Sequence, residues 1–496
     1  MSTLPVAIHT AAQVRALDRH AIDDLQIPSY TLMTRAGEAA LGTLRSCWPS
    51  AQRIAVVCGP GNNGGDGYVL ARLARAQRLE VVVVALHEPS RLEGDARRAH
   101  DDFVAAGGTV GAWHENCLRA VDVIVDAIFG VGLSRPVAGV AAEAILAIND
   151  CDAHVLALDI PSGLHADTGE ILGVAVRAKR TLTFLGLKLG FYLGEGPNCV
   201  GVVMFDGLEL PAQALAHVEP TAVLIDEAAV AELLPPRRRT THKGQQGSVL
   251  VIGGNIGMAG AARMAGEAAL RAGAGLVTVA TRHENVAAVV GARPELLCRG
   301  IETAQELTAL IAHADVIAIG PGLGQDEWAQ TMFDTALGTD RRTVIDASAL
   351  NLLAQAPRAK SHWILTPHPG EAARLLGKTA AEVQRDRLGT ARAIAARYGG
   401  TVVLKGAGTL VVSQQGPPAI CDRGNPGMAS AGMGDVLTGI VAGVVAQGAD
   451  LAAAARVGVL VHALAGDMAA RRGERGLLAT DLLPYLPTCV NPSQRS

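Results

Sequence analysis

Cysteine is sparse and unpatterned: Cys47, Cys58, Cys117, Cys151, Cys199, Cys298, Cys421 and Cys489 include no Cys-x-x-Cys pair. Zinc knuckles and disulfide frameworks need recurrent cysteine spacings, so reduced, mostly buried thiols are expected instead. An excess of one charge is also missing. Lys and Arg number 43 against 47 Asp and Glu, and the two signs are interspersed. No basic face able to hold a nucleic-acid backbone is expected. From Met1 to Ala21 there is no basic segment followed by an apolar run, so no secretory signal is read there. The longest apolar stretch is read near Val436 to Ala446, short of the ~20 residues a bilayer span requires. These absences leave a cytoplasmic protein that handles small molecules, with no nucleic-acid and no membrane partner.

The chain has 496 residues, 49% hydrophobic and 18% charged, enough for two to four domains at a prior of ~150 residues each. Residues 54–58, 81–86, 121–127 and 155–159 read as strands and 67–77 as a helix, and helical periodicity also marks 11–25 and 32–44. Apolar strands separated by helices predict a parallel sheet covered on both faces. The run 210–220, with Pro211 and Pro220 and little periodicity, marks the expected boundary between a domain over 1–213 and another over 221–490. A second α/β series follows at 248–252, 276–280, 316–319, 343–345, 363–366 and 402–404. Each of these runs ends in glycine, proline or a polar residue, where open α/β sheets place their ligand sites. The tail over 487–496 is expected to fray.

In the first half, Gly-Pro-Gly-Asn-Asn-Gly-Gly-Asp-Gly over 59–67 joins a strand to a helix. Glycines there let backbone N–H groups approach an anion at the helix start. The spacing matches neither a dinucleotide fingerprint nor a P-loop. A purely structural turn is the plainer alternative, but two Asn and an Asp in one turn favour a ligand site. Two further strand ends add oxygens, Asp-Ala-Ile-Phe-Gly-Val-Gly-Leu-Ser-Arg-Pro over 126–136 and Leu-Asp-Ile-Pro-Ser-Gly over 158–163. If these lie side by side, Asn63, Asp126 and Ser162 could surround a hard cation. Asp159 would share the crevice, a local capping carboxylate being its alternative.

In that order and spacing, the three motifs resemble the NAD(P)H-hydrate epimerase family over nearly all of residues 1–210. The resemblance implies a Rossmann-like three-layer domain. It implies potassium at Asn63, Asp126 and Ser162. It also implies hydrate contacts at Asn62, Asn63, Gly64, Gly65, Asp66, Gly130, Val131, Gly132, Leu133, Ser134, Arg135, Pro136 and Asp159. Asp159 is the expected catalytic carboxylate, since inverting the hydroxyl-bearing carbon needs a proton moved at that hydroxyl. Lys188 looks like the family's late lysine, with a solvated surface residue as the alternative. Where the family usually has Leu-Met-Glu, this chain has Thr34, so no role of that glutamate carries over.

In the second half, Gly-Asn-Pro-Gly-Met-Ala-Ser-Ala-Gly-Met-Gly-Asp-Val-Leu over 424–437 puts a Gly-x-Gly-Asp turn before an apolar helix. Such a turn offers N–H groups to phosphate beside a carboxylate, and it resembles the ribokinase-like group. His-Lys-Gly-Gln-Gln-Gly at 242–247, Gly-Gly-Asn-Ile-Gly-Met-Ala-Gly-Ala-Ala at 253–262, Gly-Pro-Gly-Leu-Gly at 320–324, Leu-Thr-Pro-His-Pro-Gly-Glu at 365–371 and Leu-Lys-Gly-Ala-Gly-Thr at 404–409 accompany it. Together they resemble the ADP/ATP-dependent NAD(P)H-hydrate dehydratase family over about 225–485. The resemblance implies a ribokinase-like α/β domain with hydrate contacts at Ala261, Gly322, His368 and Asp435. It implies nucleotide contacts at Lys405, Gly406, Ala407, Gly408, Thr409 and Gly434. Asp435 would be the base, ADP the co-substrate and Mg2+ its companion. Ala431, Met433 and Ser348 depart from the family's commoner Gly, Thr and second Asp.

The function so implied is repair of damaged nicotinamide cofactors by an isomerase fused to a lyase. It would epimerise R- and S-NAD(P)H hydrate and dehydrate the S form with ADP, in a homo-oligomer. Two other readings stand beside it: a small-alcohol kinase with a regulatory first half, and a non-catalytic scaffold built on the first fold.

Overall fold

The computed structural model describes residues 4–491. Fraying does not begin at residue 487: Leu486–Cys489 is a short helix, and Leu486, Cys489 and Val490 are buried in the core, which anchors this stretch. Positions 492–496 lie outside the described residues. The chain divides into two compact units, Met1–Ala222 and Val223–Ser496.

The first unit holds β1 (Ala7–His9), β2 (Arg53–Cys58), β3 (Glu80–Ala85), β4 (Val110–Ala112), β5 (Val123–Ala127), β6 (His154–Leu158), β7 (Arg180–Phe184), β8 (Leu187–Lys188) and β9 (Val202–Asp206). Seven strands form one parallel sheet in the order β4-β3-β2-β5-β6-β7-β9, and β1 pairs with β8. Side-chain alternation decides the layers. Ile54, Val56 and Cys58 of β2 join a core with the helices Ser29–Cys47 and Asn62–Ala76. Ala55 and Val57 join another with Ile145 and Ile148 of the helix Val140–Asn149. Both faces are therefore covered, which is why β2 is apolar after Arg53. This is the expected Rossmann-like three-layer arrangement.

The chain leaves β2 for β3 on one side, while β5 lies on the other, with Cys58 opposite Ala127. A crevice opens at the carboxyl ends of strands where the order reverses in this way. The helix expected from residue 67 begins already at Asn62, so the Asn-Asn-Gly-Gly-Asp segment is its first turn.

The second unit contains β10 (Ala222–Leu224, entering at Val223), β11 (Ser248–Ile252), β12 (Leu276–Thr281), β13 (Leu297–Gly300), β14 (Val316–Ile319), β15 (Arg342–Ile345), β16 (Trp363–Leu365), β17 (Thr401–Leu404), β18 (Thr409–Val412) and β19 (Ala419–Cys421). Their order is β13-β12-β11-β14-β15-β16-β17-β18-β19-β10. Pairing is parallel from β13 to β17, then antiparallel through β18 to β19.

The central helix Met433–Ala446 is buried at nearly every position, as an all-round apolar helix must be. It lies against the helix Ala259–Arg271 at very short range. A Cβ on Gly439 would stand 2.0 Å from the Ala265 carbonyl oxygen, and one on Gly443 2.6 Å from that of Ala269. The run at 436–446 is not the longest largely apolar helical segment. Leu451–Arg472 has mean hydropathy 1.4 and is, by length and composition, long enough to cross a membrane. In this unit Val457, Leu460 and Val461 of that helix pack in the core with Val436 and Ile440.

Candidate active sites

A cleft of about 580 Å³ opens at the carboxyl ends of the first unit's strands. Asn62, Asn63, Asp66, Gly130, Val131, Gly132, Leu133, Ser134, Arg135 and Asp159 line it, together with Arg15, Asp18, Asp95, Phe184 and Leu185. Gly64 and Gly65 are buried and outside the lining, where a Cβ on Gly64 would meet the Gly59 carbonyl oxygen at 2.1 Å and one on Gly65 the Met33 Cε at 2.5 Å. Pro136 is outside the lining. A Cβ on Gly130 would sit 3.4 Å from Asp159 Oδ2 and 3.6 Å from Asn63 Cβ, so these three positions converge.

Asp126 is fully buried. Its Oδ1 accepts from the Ser162 hydroxyl (2.6 Å) and the Ile128 N–H (3.2 Å), and its Oδ2 from the Ser162 N–H (2.8 Å). Burial pushes its pKa up to about 6 against those bonds. Beside it in the motif set, Asn63 is buried with neither side-chain nitrogen nor oxygen partnered. Buried amides are rarely left in that state.

Asp159 takes a left-handed backbone, φ 66°, and its Oδ1 accepts from the Lys188 ammonium. Lys188 is not a surface residue: it is wholly buried and also donates to Thr183 Oγ1 (2.6 Å) and the Phe184 carbonyl (3.0 Å). Burial lowers its pKa, with Asp159 working in the opposite direction. Asp18 and Asp66 are held above the ordinary carboxylate range, first by burial and then by the charge of Asp159. Asp18 was not legible as a site residue, since an acid on an amphipathic helix has no distinguishing pattern. Thr34 donates to the Tyr30 carbonyl within its own helix and does not line the cleft.

In the second unit the site is built from strand ends. Asp346 follows β15, His368 follows β16 and Lys405 follows β17. Lys405 Nζ donates to Asp346 Oδ1 at 2.6 Å and lies 3.7 Å from Glu371 Oε2. Thr438 Oγ1 donates to Asp346 Oδ2 at 2.8 Å, so both oxygens of this buried acid are engaged. A Cβ on Gly434 would lie 3.2 Å from Lys405 Nζ, which brings the lysine to the start of the helix Met433–Ala446. Asp435, in the first turn of that helix, has its pKa pushed up to about 7 by burial and then by Asp346, against the pull of Lys405.

His368 Nδ1 accepts from the Gly370 N–H at 2.9 Å, capping the helix Pro369–Leu376, while Nε2 stands 3.4 Å from Glu371. The histidine is half exposed and therefore both a turn residue and available to a ligand. Ala261 and Gly322 are neighbours, a Cβ on the glycine falling 3.1 Å from that of the alanine. No hydrogen bond engages the Ser348 hydroxyl among the described residues, and the acid of its motif that reaches Lys405 is Asp346.

A parallel α/β sheet with a terminal antiparallel extension and a Gly-x-Gly-Asp helix start places the second unit in the ribokinase-like class, beside a Rossmann-like first unit. Two family models match the chain: "YjeF-related protein N-terminus" over 29–190 and "NAD(P)H-hydrate dehydratase" over 249–488. The chain is 48% identical to the bifunctional NAD(P)H-hydrate repair enzyme Nnr of Coxiella burnetii, over 97% of this chain and 98% of that one. It is 45% identical to the Escherichia coli protein of the same name, over 99% and 95%. Among solved structures, the ADP/ATP-dependent NAD(P)H-hydrate dehydratase of Bacillus subtilis, co-crystallised with ATP and Mg2+, superposes with TM-score 0.50 at 32% identity. That match covers 54% of this chain and 96% of the other. The chain belongs to the bifunctional NAD(P)H-hydrate repair enzyme family.

Proposed function

We propose that the first unit interconverts the R and S hydrates of NADH and NADPH, and that the second dehydrates the S hydrate with ADP, yielding reduced cofactor, AMP and phosphate. The observation that carries the reading is Asp435. Its carboxylate sits at a helix start beside Lys405 and Gly434, and its pKa of about 7 suits a base working near neutrality. Asp435 takes the proton of the hydrate's hydroxyl, whose oxygen then attacks the terminal phosphorus of ADP and releases AMP. The phosphorylated oxygen leaves as phosphate, and loss of a ring proton restores the dihydronicotinamide. Amides around Gly432 and Gly434, with Lys405, stabilise the charge on the transferred group. Lys405, Gly406, Ala407, Gly408 and Thr409 hold the nucleotide in this reading, while Ala261, Gly322 and His368 hold the hydrate.

In the first unit, Asp159, held by Lys188, takes the hydroxyl proton as the bond from the hydroxyl-bearing carbon to the ring nitrogen breaks to leave a carbonyl, and returns it when the nitrogen re-closes on the opposite face. The unpartnered Asn63 side chain and the desolvated Asp126 carboxylate are the chemistry a hard cation takes. Asn63, Asp126 and Ser162 would hold potassium, which balances the buried charge. In the second unit Mg2+ would come with the nucleotide phosphates, near the buried oxygens of Asp346 and Glu371, and neutralise phosphoryl charge. The eight unpaired cysteines support a reducing, cytoplasmic setting, and a homo-oligomer remains part of the proposal.

The test is to incubate the whole chain with mixed hydrate epimers and ADP or ATP, following recovery of dihydronicotinamide absorbance. Conversion of both epimers with release of inorganic phosphate supports the reading. A stable phosphorylated product would instead favour a kinase.

A further inference from the structure

Under the loop between β17 and β18 lies a cation without a counter-ion. Arg387 is 3% exposed, and no Asp or Glu forms an ion pair with it among the described residues. It is the first residue of the helix Arg387–Tyr398, where the helix dipole also disfavours positive charge. Burial lowers its pKa to about 10. A charge buried at such cost without an acid calls for another anion.

The hydrogen bonds of Arg387 indicate where that anion belongs. Nη1 donates to Gln384 Oε1 at 2.9 Å. Nη2 faces the carbonyls of Leu404 (3.3 Å), Lys405 (3.3 Å) and Gly408 (3.4 Å), and Nε has no partner. A Cβ on Gly406 would touch the guanidinium at 3.0 Å, so the group lies directly against the loop. The peptide bonds are trans. With the Lys405 and Gly408 carbonyls turned toward Arg387, the N–H groups of Gly406 and Thr409 in the same planar units point away from it. The Gly406 N–H finds no acceptor among the described residues, and Gly406 and Ala407 are exposed.

We propose that Arg387 is a positioning residue for the nucleotide. By holding the Lys405 and Gly408 carbonyls it turns the amides of those peptide units, the unpartnered Gly406 N–H above all, toward the phosphates, and its charge is balanced when they arrive. The proposal rests on the assignment of this loop to ADP or ATP. A merely structural arginine would shape the loop for any ligand alike, whereas a counter-charge acts in proportion to phosphate charge.

The experiment measures adenosine, AMP and ADP binding to the full chain by calorimetry, and the KM for ADP and for the S hydrate, in wild type, Arg387→Met and Arg387→Lys. In Arg387→Met the affinity for ADP should fall about tenfold or more, that for AMP less and that for adenosine least. The KM for ADP should rise while kcat at saturating ADP and the KM for the hydrate change little. Arg387→Lys should recover part of the ADP affinity. Equal losses for all three ligands, or none, would overturn the role of Arg387 while leaving the function intact. If wild type binds neither ADP nor ATP, the assignment of the loop and this proposal fail together.

Discussion

If Asp435 is the base of the proposed dehydration, that one carboxylate sets the pH dependence of the reaction. With its pKa pushed up to about 7, Asp435 is about half ionised at pH ~7 and about one-tenth ionised at pH ~6. The direction follows from the sign of the shift: the working base is the ionised form, so activity is lost as the pH falls through that value. The rate with S hydrate at saturating ADP should therefore drop about fivefold over that unit and about tenfold per unit below it. Asp435→Asn removes the proton acceptor and should cost ~10²–10⁴-fold in kcat, with epimer exchange unchanged. Its residual rate should lack the acid limb, which separates Asp435 from protonation of the nucleotide's own phosphate. Asp346→Asn withdraws the negative neighbour that raises Asp435 most after burial and should move the limb to lower pH. The assay is absorbance recovery with resolved S hydrate between pH ~5.5 and ~9, a span bracketing that pKa. A flat wild-type profile, or a limb that survives in Asp435→Asn, would refute the assignment.

In the first unit, Asp159→Asn should slow epimer exchange by ~10²-fold or more while S-hydrate dehydration continues, measured by chromatographic separation of the epimers. Lys188→Met should also slow exchange, because it leaves Asp159 without its buried partner; an unaltered rate would show the pair is only structural. Replacing K+ with tetramethylammonium should lower both the exchange rate and the thermal midpoint of the first unit, and Asp126→Asn should abolish that K+ dependence. Gly439→Val sets a side chain against the Ala265 carbonyl, already 2.0 Å from a bare Cβ. It should destabilise the second unit by ~1–3 kcal/mol or more, seen as a lower calorimetric midpoint.

The elements legible in the sequence are those whose strands are apolar on both faces. β11 and β14 fall on their expected bounds, and β2 differs by one residue. β7 is not legible in the sequence because Thr181 and Thr183 interrupt its apolar pattern; Thr181 is nonetheless buried, its hydroxyl donating to the Val200 carbonyl at 2.7 Å. β4 and β8 are too short for a periodic signal. Within the candidate sites, the residues on glycine-rich strand ends are the ones a sequence singles out, because few other structures tolerate such turns. Lys188 is singled out only by the family resemblance, and Arg387 by nothing in the sequence, since a lone basic residue is usually solvated.

What the chain order of residues determined alone is the alternation of apolar runs and glycine turns, hence two largely parallel α/β units and the strand ends that form the candidate sites. Local spacing and backbone freedom suffice for that. Only the tertiary structure decided which charges meet. It set Lys188 on Asp159, placed Lys405 between Asp346 and Glu371, and left Arg387 without an acid partner among the described residues. These partners come from strands and helices far apart in sequence, and the protonation of each depends on burial and on neighbours that only the assembled fold supplies.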